Sequence, residues 1–99
     1  MADVLLTIHC SRPDAASIAG LLRDATGQPV DQHDEAVHGL DFSDATAAER
    51  VAGRLERVSL TVRVADDAAS QIVAQIGALK RSGPVRWRLM PIIASGRFA

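Results

Sequence analysis

The chain has few of the residue types on which several common functional sites depend. Its 99 residues include one cysteine, one tryptophan and two phenylalanines, with no tyrosine and no asparagine. The single thiol, Cys10, excludes an intramolecular disulfide and any site built on a Cys-X-X-Cys pair. The absence of tyrosine excludes regulation by tyrosine modification, and the absence of asparagine leaves glutamine as the only source of side-chain amides.

Charge and hydropathy narrow the choice of partner and compartment. The formal net charge is −1, so no basic field favours nucleic acid or an anionic membrane surface. No apolar run approaches the ~20 residues that span a bilayer. The first residues, Met1, Ala2 and Asp3, lack the basic character of a secretory signal. We therefore expect a cytoplasmic protein without direct membrane insertion, folded as one domain over residues 1–99.

The pattern of the first half of the chain predicts a strand followed by a helix. Side chains alternate between two faces over Asp3–Cys10, which places Val4, Leu6, Ile8 and Cys10 on one face. Ser11 and Asp14 then resemble the capping box of a helix. The apolar spacing of that helix ends at Gly27, and a weak strand is predicted over residues 29–36.

The second half repeats this pattern. Residues 58–64 alternate as a strand, Asp66 or Asp67 is the predicted helix cap, and a helical apolar stripe follows. A last strand over residues 85–90 places Trp87 toward the core. Between the halves, residues 32–57 are polar and are predicted to form a long loop, with a short helix over residues 46–52.

Two such halves predict an α+β, ferredoxin-like βαββαβ sandwich, in which an antiparallel four-stranded sheet carries two helices on one face. The other face would be open. Its predicted residues are Leu5, Thr7, His9, Ser59, Thr61, Arg63, Arg86 and Arg88. This face is either solvated or an interface between subunits, and in the second case its arginines should lose exposure on assembly.

Two sets of residues are candidates for binding. His33 and His38 lie near several carboxylates and could bind zinc, copper or nickel. Their spacing of five fits neither a helix face nor a usual zinc motif, so a solvated acidic loop is the favoured interpretation. The second set consists of the arginines Arg54, Arg57, Arg63, Arg86, Arg88 and Arg97, which suit phosphate or carboxylate ligands but also ordinary ion pairs.

The chain lacks the residues that RNA-binding proteins and enzymes need. RNA recognition would need aromatic side chains on the central strands, where this chain has Leu5, Thr7, Ser59 and Thr61. No nucleophile–base pair is visible, so we do not expect an enzyme.

Three short runs resemble a known bacterial family. They are residues 48–54 (Ala-Glu-Arg-Val-Ala-Gly-Arg), His38 with Gly39, and the ending that runs from Met90-Pro91 to Ser95-Gly96-Arg97. In these the chain resembles domain-of-unknown-function family 3240, a family grouped with the nitrogen-regulatory PII proteins and the CutA-like proteins. The resemblance spans nearly the whole chain.

The resemblance implies a PII-like subunit that assembles as a homotrimer with its sheets facing inward. It also implies that residues 32–57 contact a partner. Relatives are often encoded beside heavy-metal efflux pumps, so a membrane transporter is the partner implied. The ligand-binding residues expected on this basis are His38, Glu49, Arg54, Arg86 and Arg88.

One departure bears on the ligand. PII proteins bind nucleotide with a glycine-rich loop after the third strand, but residues 65–70 contain no glycine. Nucleotide binding of that type is not expected, and the cofactor stays unknown. The leading hypothesis is a non-enzymatic PII-like regulator. The alternatives are a metal-binding protein using His33 and His38, and an ACT-like module that binds small molecules such as amino acids.

Overall fold

The computed structural model describes residues 2–38 and 54–99. Its strands are β1 (Asp3–Cys10), β2 (Asp31–Val37), β3 (Leu55–Ala65) and β4 (Arg86–Pro91), and its helices are α1 (Ala15–Thr26) and α2 (Ala69–Ala78). A single 3₁₀ turn precedes each helix, at Arg12–Asp14 and Asp66–Ala68. The strand, 3₁₀ turn and helix thus recur in the same order in both halves.

The four strands form one sheet in the order β2-β3-β1-β4, and every neighbouring pair is antiparallel. Both helices pack on the same face of this sheet, where they share a buried core with β1 and β3. The arrangement is the βαββαβ ferredoxin-like fold, which confirms the predicted fold class.

Alternation along the two central strands builds the core. Paired residues of antiparallel strands share a face, so Leu6 lies beside Val62, and Ile8 lies beside Leu60. The fully buried helix residues Ile18 and Leu22 pack against them. Each such side chain contributes about 1.5–3 kcal/mol through burial.

The predicted helix caps are wrong in their chemistry. Ser11 does occupy the N-cap position of the first 3₁₀ turn, but its hydroxyl donates to the Asp14 carboxylate rather than capping a backbone N–H. In the second half, Asp66 and Asp67 lie inside the 3₁₀ turn, and Ala68 precedes α2. The added 3₁₀ turn moves both helix starts beyond the residues that sequence spacing selects.

The end of α1 agrees with the prediction. Gly27 adopts a left-handed conformation (φ 66°), and its N–H donates to the Arg23 carbonyl at 2.8 Å. Glycine suits this position because it has no Cβ to clash with the backbone. α2 ends without such a glycine, since it stops at Ala78 and Leu79 is extended.

The predicted loop over residues 32–57 is too long at both ends. The polar residues of β2 pair with β3 from Asp31 to Val37, and β3 begins at Leu55. An outer strand needs backbone pairing but no continuous apolar face, so its sequence signal is weak. The helix predicted over residues 46–52 lies outside the described residues.

The prediction that Trp87 is a core residue is wrong. Register places Trp87 beside Ile8, on the helix-bearing face as expected, yet 51% of it is exposed. Its neighbour on that face, Leu89, is 37% exposed. β4 is an outer strand, and among the described residues the buried core draws on β1, β3 and the two helices but not on β4.

Candidate functional site

The sheet face opposite the helices carries most of the chemically active side chains. Register aligns His9 with Ser59 and Arg86, and aligns Thr7 with Thr61 and Arg88. On β2, the side chains that share this face are Asp31, His33, Glu35 and Val37. The open face therefore has the composition that the strand pattern predicts, with β2 adding further carboxylates and an imidazole.

A histidine–carboxylate contact crosses this face. His9 Nδ1 lies 2.5 Å from Glu35 Oε1, although β3 separates the strands that carry them. The carboxylate orients the imidazole and favours the tautomer with its proton on Nδ1. The other ring nitrogen, Nε2, is buried and has no hydrogen-bond partner among residues 2–38 and 54–99. In the tautomer with its proton on Nδ1, this nitrogen is an acceptor.

The arginines of the open face differ in their exposure and in the hydrogen bonds and ion pairs that they form. Arg57 is buried and donates to the Glu56 carbonyl at 2.8 Å. Arg63 pairs with Asp3 at 3.3 Å and also donates to the Ser95 hydroxyl at 3.2 Å. Arg86 and Arg88 are exposed on β4. An anion or a partner's carboxylate can therefore reach this outer strand most directly.

The two histidines of the metal hypothesis do not converge within one chain. His33 lies on the open face of β2, and His38 follows the last residue of that strand. The extended strand separates His33 from Val37 by about 13 Å. In the part of the chain that the structure describes, no group of three or more His, Cys, Asp or Glu side chains is placed to hold a metal ion.

The predicted ligand-binding residues fall into two separate groups. Arg54 precedes β3, 3.8 Å from Glu56, and the register continued by one residue places His38 across from it. Arg86 and Arg88 lie on β4, at the opposite side of the sheet. Glu49 lies outside the described residues. The described members of the set therefore do not form one site in a single chain.

Cys10 has the properties of a core residue. It is fully buried on β1. Burial first, and the Asp14 charge second, raise the pKa of the Cys10 thiol to about 11. The thiol is therefore protonated at neutral pH and is a poor nucleophile.

A buried carboxylate joins the two halves of the chain. Asp14 Oδ1 accepts from Ser82 N at 2.8 Å and from the Ser82 hydroxyl at 3.0 Å. Its Oδ2 accepts from Gly83 N at 3.1 Å and from the Ser11 hydroxyl at 2.8 Å. Burial alone would raise the pKa of Asp14, but these hydrogen bonds outweigh it and hold the pKa below its ordinary value.

A cleft opens between the sheet and the segment after β4. We call residues 92–99 the tail. The cleft has a volume of about 760 Å³, and Leu5, Thr61 and Arg63 lie on its sheet side. Ile92 and Arg97 line it from the tail, and the Arg63–Ser95 hydrogen bond holds the tail at this position.

Sequence reasoning missed the His9–Glu35 contact and the cleft. It placed His9 on the open face, but Glu35 fell both in the weak strand over residues 29–36 and in the polar segment 32–57, and the two residues were not paired. The alternation of Asp31, His33 and Glu35 in β2 was the available signal. Nothing in the local pattern of the tail indicates that it lies against β3, because that contact spans 32 positions.

These features define a small ferredoxin-like α+β protein with a polar, arginine-bearing open sheet face. Within residues 2–38 and 54–99, neither helix has the length and apolar character needed to cross a bilayer. The chain belongs to the family described as "Protein of unknown function (DUF3240)", which it matches over residues 2–99. The predicted family is thereby confirmed.

Solved structures share the fold at low sequence identity. A DUF3240 family protein from Shewanella baltica OS155 superimposes with a TM-score of 0.77 at 12% identity, covering 100% of this chain and 99% of the other. A functionally unknown protein from Pediococcus pentosaceus ATCC 25745 gives 0.68 at 11% identity, covering 99% of both chains.

A Bacillus cereus protein related to NIF3 contains a similar unit within a longer chain. Its TM-score is 0.70 at 10% identity, over 97% of this chain and 26% of that one. A search of the curated proteins found no match. At these identities the structural likeness shows the fold alone.

Proposed function

We propose that this protein is a non-enzymatic, PII-like regulatory protein that acts as a homo-oligomer, most simply a trimer. The observation that carries the proposal is the apolar surface on β4 and the tail. Trp87 is 51% exposed and Met90 46%, while Ile93 and Phe98 are fully exposed. Exposed large apolar side chains concentrated on one outer strand and the segment after it favour an interaction site there.

The position of this surface supports contact between subunits. β4 is an outer strand of the sheet, and in the part of the chain that the structure describes no strand pairs with its outer side. Such an edge offers backbone hydrogen-bonding groups to another chain. Arg86 and Arg88 project from the same strand on the open face, where a second copy can supply carboxylates or share an anionic ligand.

The proposed regulatory role assigns the remaining predicted residues to a partner. Residues 32–57, with His38, Glu49 and Arg54, would contact a membrane transporter of a heavy-metal efflux system from the cytoplasmic side. The described part of this segment is consistent with a recognition surface, since β2 is polar and exposed over most of its length.

Sedimentation of the purified full chain tests the assembly. We expect the native chain to sediment as a trimer at micromolar concentration and Arg88→Glu to sediment as a monomer. Lys80→Glu makes the same charge change at an exposed position after α2 and should keep the native state of assembly. A native chain that is monomeric, or an Arg88→Glu variant that remains a trimer, contradicts the proposed interface.

A further inference from the structure

The cleft between the open sheet face and the tail contains two opposite charges that do not pair with each other. Asp31 lines it from β2, and Arg97 lines it from the tail. Among the described residues, neither side chain forms an ion pair or a side-chain hydrogen bond. Both residues therefore line the cleft with no partner in the part of the chain that the structure describes.

The other cation of the cleft is already engaged. Arg63 pairs with Asp3 and donates to Ser95, so it already has two partners within the chain. The Asp31 carboxylate and the Arg97 guanidinium are therefore the charged groups of the cleft that have no partner among the described residues. A ligand with only a negative charge would meet Asp31 unfavourably, and a ligand with only a positive charge would meet Arg97 unfavourably.

We infer that this cleft binds a small zwitterion, an α-amino acid, whose ammonium group pairs with Asp31 and whose carboxylate pairs with Arg97. A carboxylate suits the planar fork of an arginine, and an ammonium group donates well to a carboxylate. The cleft volume of about 760 Å³ is ample for such a ligand.

The other residues that line the cleft suit the rest of the amino-acid ligand. The hydroxyls of Thr61 and Ser95 can accept from or donate to the ligand's charged groups. Leu5 and Ile92 provide apolar contact on opposite sides of the cleft, so an aliphatic amino-acid side chain fits better than a charged one. All of these lining residues belong to one chain.

Isothermal titration of the full chain with leucine tests this inference against matched compounds. Isopentylamine is leucine without its carboxylate, and 4-methylpentanoate is leucine without its amine. We expect saturable leucine binding at millimolar or lower concentration, and binding at least about tenfold weaker for each single-charge compound, a difference of about 1.4 kcal/mol. Equal binding of 4-methylpentanoate or inorganic phosphate would show a simple anion site and overturn the proposal.

Two variants locate the site. Asp31→Asn and Arg97→Gln should each weaken leucine binding at least about tenfold. Asp24→Asn and Arg23→Gln make the same changes on the exposed surface of α1 and should bind leucine as the native chain does. Thermal melts of all four confirm folding. Absence of saturable binding by the native chain, or full binding by Asp31→Asn, would contradict the inference.

Discussion

At the scale of single residues, Asp14 is a buried carboxylate that links the two halves of the chain. Its carboxylate accepts four hydrogen bonds, two of them from the backbone N–H groups of Ser82 and Gly83. These donors lie in the turn between α2 and β4, so one side chain fixes that turn to the start of α1. Hydrogen bonds to a charged acceptor are stronger than neutral ones.

Replacing this carboxylate should be costly. Asp14→Asn keeps the size of the side chain but presents an NH₂ group to donors, and we expect it to lower the free energy of unfolding by about 2–4 kcal/mol. Urea denaturation measures the change. Asp34→Asn removes only the exposed contact with Arg12 and should cost less than about 0.5 kcal/mol. Equal effects of the two substitutions would contradict the role given to Asp14.

The same residue gives a pH dependence with a definite sign. The folded-state pKa of Asp14 lies below its unfolded value of about 3.9, so the folded state favours the charged form. Its contribution is fully present above the unfolded pKa and is lost as pH falls through the folded pKa. The stability difference between the native chain and Asp14→Asn should therefore shrink below about pH 4. A difference that stays constant down to pH 2 would exclude this linkage.

The contacts of Asp14 show which interactions a local sequence pattern can predict and which it cannot. Asp14 was expected to take part in helix capping, and its contact with Ser11, three positions away, is within the range of local patterns. The bonds to Ser82 and Gly83 connect positions 68 and 69 residues apart. No local spacing encodes them, because they depend on how the two halves pack together.

At the scale of elements, the predictions are correct where burial of one face imposes a regular spacing of apolar residues. β1 was predicted with its observed bounds, and the stop of α1 at Gly27 is confirmed. The outer strands were predicted less well, because their side chains lie mostly in solvent and backbone pairing places few demands on residue type. Trp87 has core-like chemistry but is exposed, since the helices do not cover β4.

Two glycines of the first half offer a test of local conformation. Gly27 has a positive φ, so Gly27→Ala should destabilise the chain by about 1 kcal/mol. Gly20 lies inside α1, and a Cβ built there meets nothing within 4 Å. Gly20→Ala should therefore stabilise the chain by about 0.5–1 kcal/mol. Thermal or urea unfolding of both variants should give opposite signs, and equal signs would contradict the assigned helix end.

At the scale of the whole molecule, Trp87 reports on the proposed assembly. It is the only tryptophan and lies half-exposed on β4. If β4 contacts a second copy, the native chain should show blue-shifted emission and weaker acrylamide quenching than Arg88→Glu at the same concentration. Identical quenching of the two proteins would contradict a contact that covers the Trp87 side of β4.

The two outer strands of the sheet differ in a way that affects self-association. If the β4 edge of one molecule could add to the β2 edge of the next, the contact would be head-to-tail and would extend without limit into a fibre. β2 carries the exposed charges of Asp31 and Asp34 and the exposed polar residues Gln32 and His33. Stacking a second strand against that edge would strip water from these groups, so growth by strand addition is disfavoured there. The polar β2 edge thus makes aggregation into open-ended polymers by strand addition unfavourable.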